Sequence, residues 1–454
     1  MPLREEKHGR AIFLPICLAL ISCATIHPSA VAEPAASEVK HMFDGVWASR
    51  GYGWLWEIKN GKAERYDIGE GFCIPKSSEE YMMTPYSGAK LSRDGRTLRL
   101  RLHDPDYFYT FDRLAELPAL CRQQAPAGPE FVFDVVVSMF DAHYAFFEER
   151  GVDWERTVER ARSKLCPGMN DADLLEVLQK LLAPFADSHV GIEATIDGED
   201  VSISGSEART PIQARDEPAI DGAWNARAAV ESLQSVRRRG DDVLLYGQLT
   251  DDIGYLQVQA MSGLEIDELE AALDDAMTSF SGSEAVIVDV SGNYGGLDSF
   301  GRLIARRFAA VPTIAYSKYA GDFEGDPPQD VVLQPPERPR FLGPVYLITG
   351  HDTVSAAEVF AMSMRALPNV VHLGERTDGS LSDELWKTLP NGWILSLSNE
   401  VYLDSEGALW EGSGIPPEIL LAISEKHSVS KEDRQSVQDL VNFIRTNAQE
   451  DLSR

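Results

Sequence analysis

The sequence predicts an α/β fold, with a largely parallel sheet and helices in one domain, preceded by a helical segment and a small antiparallel β module. From residue 243 to 425, apolar runs of strand length alternate with helical stretches, as in strands linked by crossover helices. Residues 130–195 carry apolar side chains at spacings of three and four, which indicates helices. Residues 40–122 alternate aromatic and polar positions around turn signals, which indicates hairpins.

Residues 1–32 have the pattern of an export signal. Basic residues precede an apolar core at 11–22, which is too short to span a bilayer well. The signal ends either after the A-x-A pattern that finishes at Ala32, or before Cys23, where the segment resembles a bacterial lipobox. Both alternatives predict an exported protein of the bacterial periplasm or cell envelope. The second adds membrane attachment through a lipid on Cys23.

The β module at 40–122 contains two strong hairpin signals, Asn60-Gly61 and Asp94-Gly95. Its tryptophans are interpreted as core residues rather than as a sugar-binding platform, because aromatic side chains are favoured in half-buried strands. They are Trp47, Trp54 and Trp56.

Three cysteines follow the signal, and an exported protein meets an oxidising environment. The odd count permits one disulfide and one free thiol, and the sequence leaves the pairing among Cys73, Cys121 and Cys166 open. Cys73 and Cys121 both lie in the β module, which favours that pair. No CxxC spacing occurs, so the sequence gives no support for a metal or redox site.

Two polar stretches flank the predicted α/β domain. Residues 196–242 are poorly periodic and are expected to form a linker that is too short for a complete PDZ domain, and residues 426–454 form a polar C-terminal tail. The formal charge of −30 is spread along the chain and repels phosphate backbones, which argues against a nucleic-acid partner.

Ser355 begins a predicted helix directly after an apolar strand. With Glu358 it forms a capping-box pattern, so one interpretation is a helix cap. The other is a nucleophile, because loops at the carboxyl ends of parallel strands are where sites form. The amide of Ala356 and the glycine pair Gly295-Gly296 are candidates for an oxyanion hole. The chain lacks a GxSxG elbow, which disfavours an α/β-hydrolase.

Six segments carry a family resemblance in their order along the chain. They include DSHVGI, IGYLQVQAM, VIVDVSGNYGG, TVSAAEVFAMSMRAL and LPNGWILSLSNEVYLDSEGALWEGSGIPPEI. Over about residues 130–425 the chain resembles the C-terminal processing (tail-specific) serine peptidases, and within them the branch of the tricorn core protease. The likeness does not cover the β module.

The resemblance implies that Ser355 is the nucleophile. Processing peptidases activate it with a lysine some twenty-five residues later, where this chain has Ser380, and Lys387 does not fit that spacing. Tricorn-like members use an upstream histidine, which implies His189 as the general base.

The resemblance also implies that Ser188 and Glu411 orient the imidazole of His189 through its other ring nitrogen, as the third member of a catalytic triad does. The expected function is therefore an exported serine peptidase that hydrolyses peptides or unfolded proteins through an acyl-enzyme, without a metal or cofactor and compatible with a homo-oligomer. The alternative is a catalytically weak or inactive protein that binds a ligand or peptide on the same fold.

Overall fold

The computed structural model describes residues 41–76, 81–82, 88–102, 105–208, 220, 222–321, 327–424, 426 and 428–451. The expected signal at 1–32 and the lipobox cysteine Cys23 lie outside these residues. None of the helices in the described ranges is long and apolar enough to cross a membrane.

The described residues form strands and helices, labelled here in chain order. The strands β1 to β24 are Gly45–Ser49, Trp54–Lys59, Lys62–Gly69, Phe72–Pro75, Tyr81–Met82, Lys90–Leu91, Thr97–Leu100, Tyr109–Leu114, Gly191–Ile196, Glu199–Ser204, Ala223–Trp224, Arg237–Arg239, Leu244–Gln248, Ile253–Val258, Ala285–Asp289, Thr313–Ala320, Gln329–Leu333, Val345–Thr349, Val370–Gly374, Glu384–Thr388, Ile394–Ser398, Glu400–Asp404, Ile419–Leu420 and Ala422–Ile423. The helices α1 to α8 are Pro129–His143, Trp154–Arg162, Asp171–Leu182, Ala226–Ser232, Ile266–Ser279, Asp298–Ala305, Ala356–Arg365 and Lys431–Asp451.

The N-terminal module is an antiparallel sheet with the order β4-β3-β2-β1-β8-β7-β6, and β5 pairs with β3. Its first hairpin turns at Asn60-Gly61, where both residues have positive φ, as a tight turn between twisted strands requires. The expected disulfide between Cys73 and Cys121 is present, and Cys166 is free and exposed.

Helices α1 to α3 share one hydrophobic core with this module. The core runs from Trp47 in β1, through Phe133 and Phe140 in α1, to Leu395 and Leu397 in β21. The module therefore packs against the helical segment and against strands from the C-terminal half of the chain.

The central sheet has the order β12-β13-β14-β15-β18-β19-β23. Its last four pairings, from β14 to β23, are parallel, and its first two are antiparallel. Two further sheets, β10-β9-β21-β20 and β17-β16-β22, are antiparallel. The chain as a whole is mixed α/β, and the expected parallel arrangement applies to part of the central sheet.

The stretch expected to be a linker is folded over much of its described part. Trp224 is fully buried and its Nε1 donates to Asp289 at 2.7 Å, while α4 buries Ala228 and Ala229. The expected tail also contributes, because α8 buries Leu440 in the same core. Within residues 196–242 the elements are short and contain few apolar residues, so their periodicity was too weak to be recognised.

Candidate active site

Ser355 lies between the end of β18 and the first residue of α7. The expected capping box is present, and in it the Glu358 carboxylate accepts from the Ser355 amide at 3.2 Å. The Ser355 backbone, however, has φ +60° and ψ −129°, a region that non-glycine residues rarely adopt. An ordinary cap residue has extended backbone, so capping does not account for this strain.

Glu358 also joins the start of α7 to the loop at 377–380. Its buried carboxylate accepts hydrogen bonds from Thr377 Oγ1 at 2.6 Å, the Gly379 amide at 2.6 Å and the Ser380 amide at 2.8 Å. The Ser355 amide donates to the Ser380 oxygen at 3.0 Å. The position of the serine is therefore fixed by the loop as well as by the helix.

Gly295 and Gly296 lie beside Ser355, but they differ in whether the backbone amide already donates a hydrogen bond within the protein. The Gly295 amide donates to the Asn293 side chain at 2.9 Å, so it is not available to a substrate, contrary to the expectation that it could line an oxyanion hole. A Cβ at Gly295 would stand 2.7 Å from Ser355 Cβ, so this position needs glycine for space. Within the described chain, the amides of Gly296 and Ala356 have no hydrogen-bond acceptor.

His189 is buried, with 7% of its surface exposed, at the end of the turn that follows α3. Its amide donates to Asp187 Oδ1 at 3.0 Å, and its Nδ1 has no partner among the described residues. Burial lowers the pKa of His189 from 6.5, while the carboxylates of Asp187 and Asp378 oppose that shift. The lowered pKa favours the neutral imidazole, which is the form that a general base requires.

The expected partners of this imidazole do not form hydrogen bonds to it. Ser188 is exposed, whereas its neighbour His189 faces the interior. The carboxylate of Glu411 accepts from Arg150 and from the amides of Leu381 and Ser382, at 2.8 and 2.9 Å. Those donors occupy the Glu411 oxygens, which is the physical reason that the expected contact is absent.

Arg150 is the residue that connects these segments. Its guanidinium donates to the oxygens of Ala186 and Gly379, both at 2.8 Å, and pairs with Glu411. It also lies 3.7 Å from Asp187. In the sequence Arg150 ends a charged run typical of a solvated surface, so no local signal marked it. Asp187 carried a signal, as a carboxylate two residues before the histidine.

Lys387, which did not fit the spacing of a lysine base, is engaged elsewhere. Its Nζ donates to the oxygens of Tyr52 and Gly53, the latter at 3.0 Å, and lies 3.4 Å from Asp67. Burial lowers its pKa to about 8. These contacts join β20 to the N-terminal module.

A pocket of about 330 Å³ opens beside Ser355 and Gly296. One wall comes from the N-terminal module and includes Tyr52, Trp54 and Tyr109. Of the tryptophans expected in the core, Trp47 and Trp56 are buried there, but Trp54 lines this pocket.

Comparison with known proteins identifies the C-terminal region. Residues 252–421 match the family model "Peptidase family S41". The carboxy-terminal processing protease CtpA of Bacillus subtilis (strain 168) is 25% identical over 176 residues, which are 38% of this chain and 36% of CtpA. The chain thus spans about a third of the length of this curated relative. His189 and the β module lie outside the matched residues.

Solved structures extend the likeness beyond that region. A crystal structure of a candidate peptidase from Parabacteroides merdae ATCC 43184 is 26% identical, with a TM-score of 0.57, over 70% of this chain and 97% of that one. Mature CPAF, at 11% identity, shares the fold with a TM-score of 0.53 over 70% of this chain and 97% of its own. The tricorn-like branch stays a prediction. The chain carries a peptidase family S41 domain, which confirms its resemblance to the C-terminal processing peptidases.

Proposed function

We propose that this protein is an exported serine peptidase that cleaves peptides or unfolded proteins through an acyl-enzyme. The observation that carries the proposal is the setting of Ser355. It has a strained backbone at a helix N-terminus, in a pocket that also contains Gly296. The amides of Gly296 and Ala356, both without an acceptor in the described chain, are suited to stabilise an oxyanion.

In the proposed mechanism, neutral His189 takes the Ser355 hydroxyl proton while Oγ attacks the carbonyl carbon of the substrate. The carbonyl oxygen becomes an oxyanion that accepts from the Gly296 and Ala356 amides. His189 then returns the proton to the leaving amine, and the peptide bond breaks to leave an acyl-Ser355 ester. Water, deprotonated by His189, hydrolyses this ester and regenerates the serine.

The same proposal includes the cellular setting expected from the N-terminal sequence. Residues 1–32 would direct export to the periplasm or cell envelope, with a lipid on Cys23 if the lipobox is used. Exported peptides or unfolded chains are then the substrates that the pocket would meet. Assembly into a homo-oligomer is compatible with this function.

Labelling with a fluorophosphonate probe, together with hydrolysis of a peptide library, tests the proposal. We expect the purified wild type to be labelled, and both Ser355→Ala and His189→Ala to lose labelling while circular dichroism shows an intact fold. Ser363→Ala, a buried serine of the same helix, and His351→Ala, a histidine close to Ser355 in sequence, serve as matched controls that keep labelling. A folded wild type that is not labelled would overturn the proposal and favour the binding protein.

A further inference from the structure

The pocket beside Ser355 is lined by more carboxylates than cations. The lining acids are Asp298, Asp383, Glu384 and Glu400, and the lining lysines are Lys76 and Lys318. Whether this excess is available to a ligand depends on which of these charges already have partners within the protein.

Lys318 is fully engaged inside the protein. Its Nζ donates to Glu400 Oε2 at 2.8 Å and to the Tyr402 hydroxyl at 3.1 Å, and both members of the Lys318–Glu400 ion pair are buried. The Tyr52 hydroxyl donates to the other oxygen of Glu400 at 2.6 Å. Glu400 is therefore satisfied, and Lys318 is held by it. The second lysine, Lys76, donates to the main-chain oxygen of Trp386 at 3.0 Å.

Asp298 also has a partner, because the Tyr402 hydroxyl donates to its Oδ2 at 2.8 Å. Of the four lining acids, Asp383 and Glu384 remain. Neither forms an ion pair with a described residue, and Asp383 Oδ1 accepts only from the adjacent Glu384 amide, at 2.9 Å, among the described hydrogen bonds. Both carboxylates keep contact with solvent in the pocket. Desolvation in the pocket and the neighbouring carboxylates raise the pKa of Asp383 and of Glu384 to about 7. A cation bound beside them would favour their ionised forms.

Another part of the pocket lining is aromatic and belongs to the N-terminal module. The rings of Tyr52 and Trp54 stack at a centroid distance of 4.7 Å, and Tyr109 lies 5.6 Å from Trp54. The faces of such rings attract cations and cover the aliphatic stem of a long basic side chain. The carboxylates and the aromatic rings that line this pocket are thus complementary to the same kind of ligand.

We propose that this pocket is the subsite for a cationic group of the peptide substrate, with Asp383 and Glu384 as its charge partners and the Tyr52–Trp54 stack as its wall. The group is either an arginine or lysine side chain or the terminal ammonium of the peptide. The inference rests on the proposed peptidase function and adds the substrate class. It also gives the N-terminal module a role in selecting substrate.

Quenched fluorescent peptides test the proposal. In an alanine-rich series, arginine or citrulline is placed at one position at a time, covering the two positions before and the two positions after the cleaved bond. Each peptide is made with a free and with an acetylated N-terminus. We expect wild-type kcat/KM to fall about tenfold or more when the cation is removed at one position, because a charge-assisted contact is lost. Loss on citrulline substitution identifies a side chain, and loss on acetylation identifies the terminal ammonium.

In the double variant Asp383→Asn/Glu384→Gln, the preference for the cationic peptide should fall to near unity, whereas Glu406→Gln, an exposed acid elsewhere, should keep it. Equal wild-type kcat/KM for the cationic and neutral members of every pair would overturn the subsite. Fluorophosphonate labelling of wild type keeps the two proposals apart, because labelled protein without a cation preference contradicts only the subsite.

The pH dependence of the preference provides a second readout. Both carboxylates must be ionised to attract a cation, so the preference should grow as pH rises through about 7 and disappear below it. A preference that is constant from pH 5.5 to 8.5 would contradict the assignment. The charged groups that act on these two carboxylates are Glu400, Lys318 and Asp298 around Asp383, and Asp187 and Glu193 around Glu384.

Discussion

The guanidinium of Arg150 and the carboxylate of Glu411 form a buried ion pair, with 4% and 1% of their side chains exposed. The pair links the segment that carries His189 to the loop at 379–382, because Arg150 also binds the oxygens of Ala186 and Gly379. Arg150 is thus a positioning residue for the proposed base. Glu411 contributes through Arg150 rather than through a contact with the imidazole.

Replacing Arg150→Met should lower peptidase activity and destabilise the protein. It leaves Glu411 buried without its cationic partner, for which a loss of about 3–5 kcal/mol in the free energy of unfolding is expected. Arg150→Met/Glu411→Gln should recover part of the stability but not the activity. Thermal unfolding and kcat/KM measure both effects, and Arg162→Met, at an exposed ion pair, is the neutral control. Full activity of folded Arg150→Met would contradict the positioning role.

Gly295→Ala should abolish labelling of Ser355. The added Cβ would meet Ser355 Cβ at 2.7 Å and the Val354 oxygen at 2.8 Å, and φ is +102°. Such contacts force the nucleophile or its backbone to move. Gly292→Ala, three residues earlier, is a matched control because its Cβ would have nothing within 4 Å. Normal labelling of a folded Gly295→Ala variant would show that the serine position is not sensitive to this contact.

Activity should depend on pH through His189. Because burial lowers the pKa of this imidazole below 6.5, it is neutral and able to accept a proton at neutral pH. Activity should be full above that pKa and lost as pH falls through it. Arg150 lowers and Asp187 raises the pKa of His189, so Arg150→Met should move the acidic limb of kcat/KM to higher pH and Asp187→Asn to lower pH. Activity that appears only above pH 9 would instead indicate a lysine base.

Lys387→Met should destabilise the protein and still allow labelling. Lys387 and Asp67 are both fully buried, so removal of the lysine leaves an uncompensated charge, at a cost of about 3–5 kcal/mol. The melting temperature should therefore fall, and Lys387→Met/Asp67→Leu should recover part of the loss. Lys180→Met, at an exposed ion pair, should change it little. Loss of labelling in Lys387→Met while circular dichroism shows it folded would restore lysine as the candidate base.

Local patterns were sufficient to predict that Ser355 and the glycine pair lie close together, whereas the proposed role of Ser355 as a nucleophile came from the family resemblance. A strand followed by a helix start, and a glycine pair after another strand, place these groups at the same edge of a parallel sheet. The partner of Glu411 could not be predicted in this way. Arg150 lies 261 residues earlier in the chain, and no periodicity encodes an ion pair across that separation.

The tryptophans of β2 illustrate the same limit. Trp54 and Trp56 are two residues apart, so strand alternation places them on the same face of the sheet. Trp56 is buried, and Trp54 borders the pocket. Whether a residue on that face becomes core or pocket wall depends on which distant segment covers it. The alternation of the sequence contains no information on that point.

The backbone conformation of Ser355 has a consequence for the evolution of stability. At φ +60° and ψ −129° a glycine would be relaxed. The free energy of unfolding of Ser355→Gly should therefore exceed that of Ser355→Ala by about 1 kcal/mol or more, and Ser355→Gly should melt at a higher temperature. Both variants lack the hydroxyl, and they differ in the Cβ atom that makes this backbone conformation strained. Selection for folding alone would favour glycine at this position, whereas selection for chemistry needs a side chain there. Under the proposed mechanism, Ser355 marks a place where the two demands conflict, because replacing it with glycine would stabilise the protein and inactivate it.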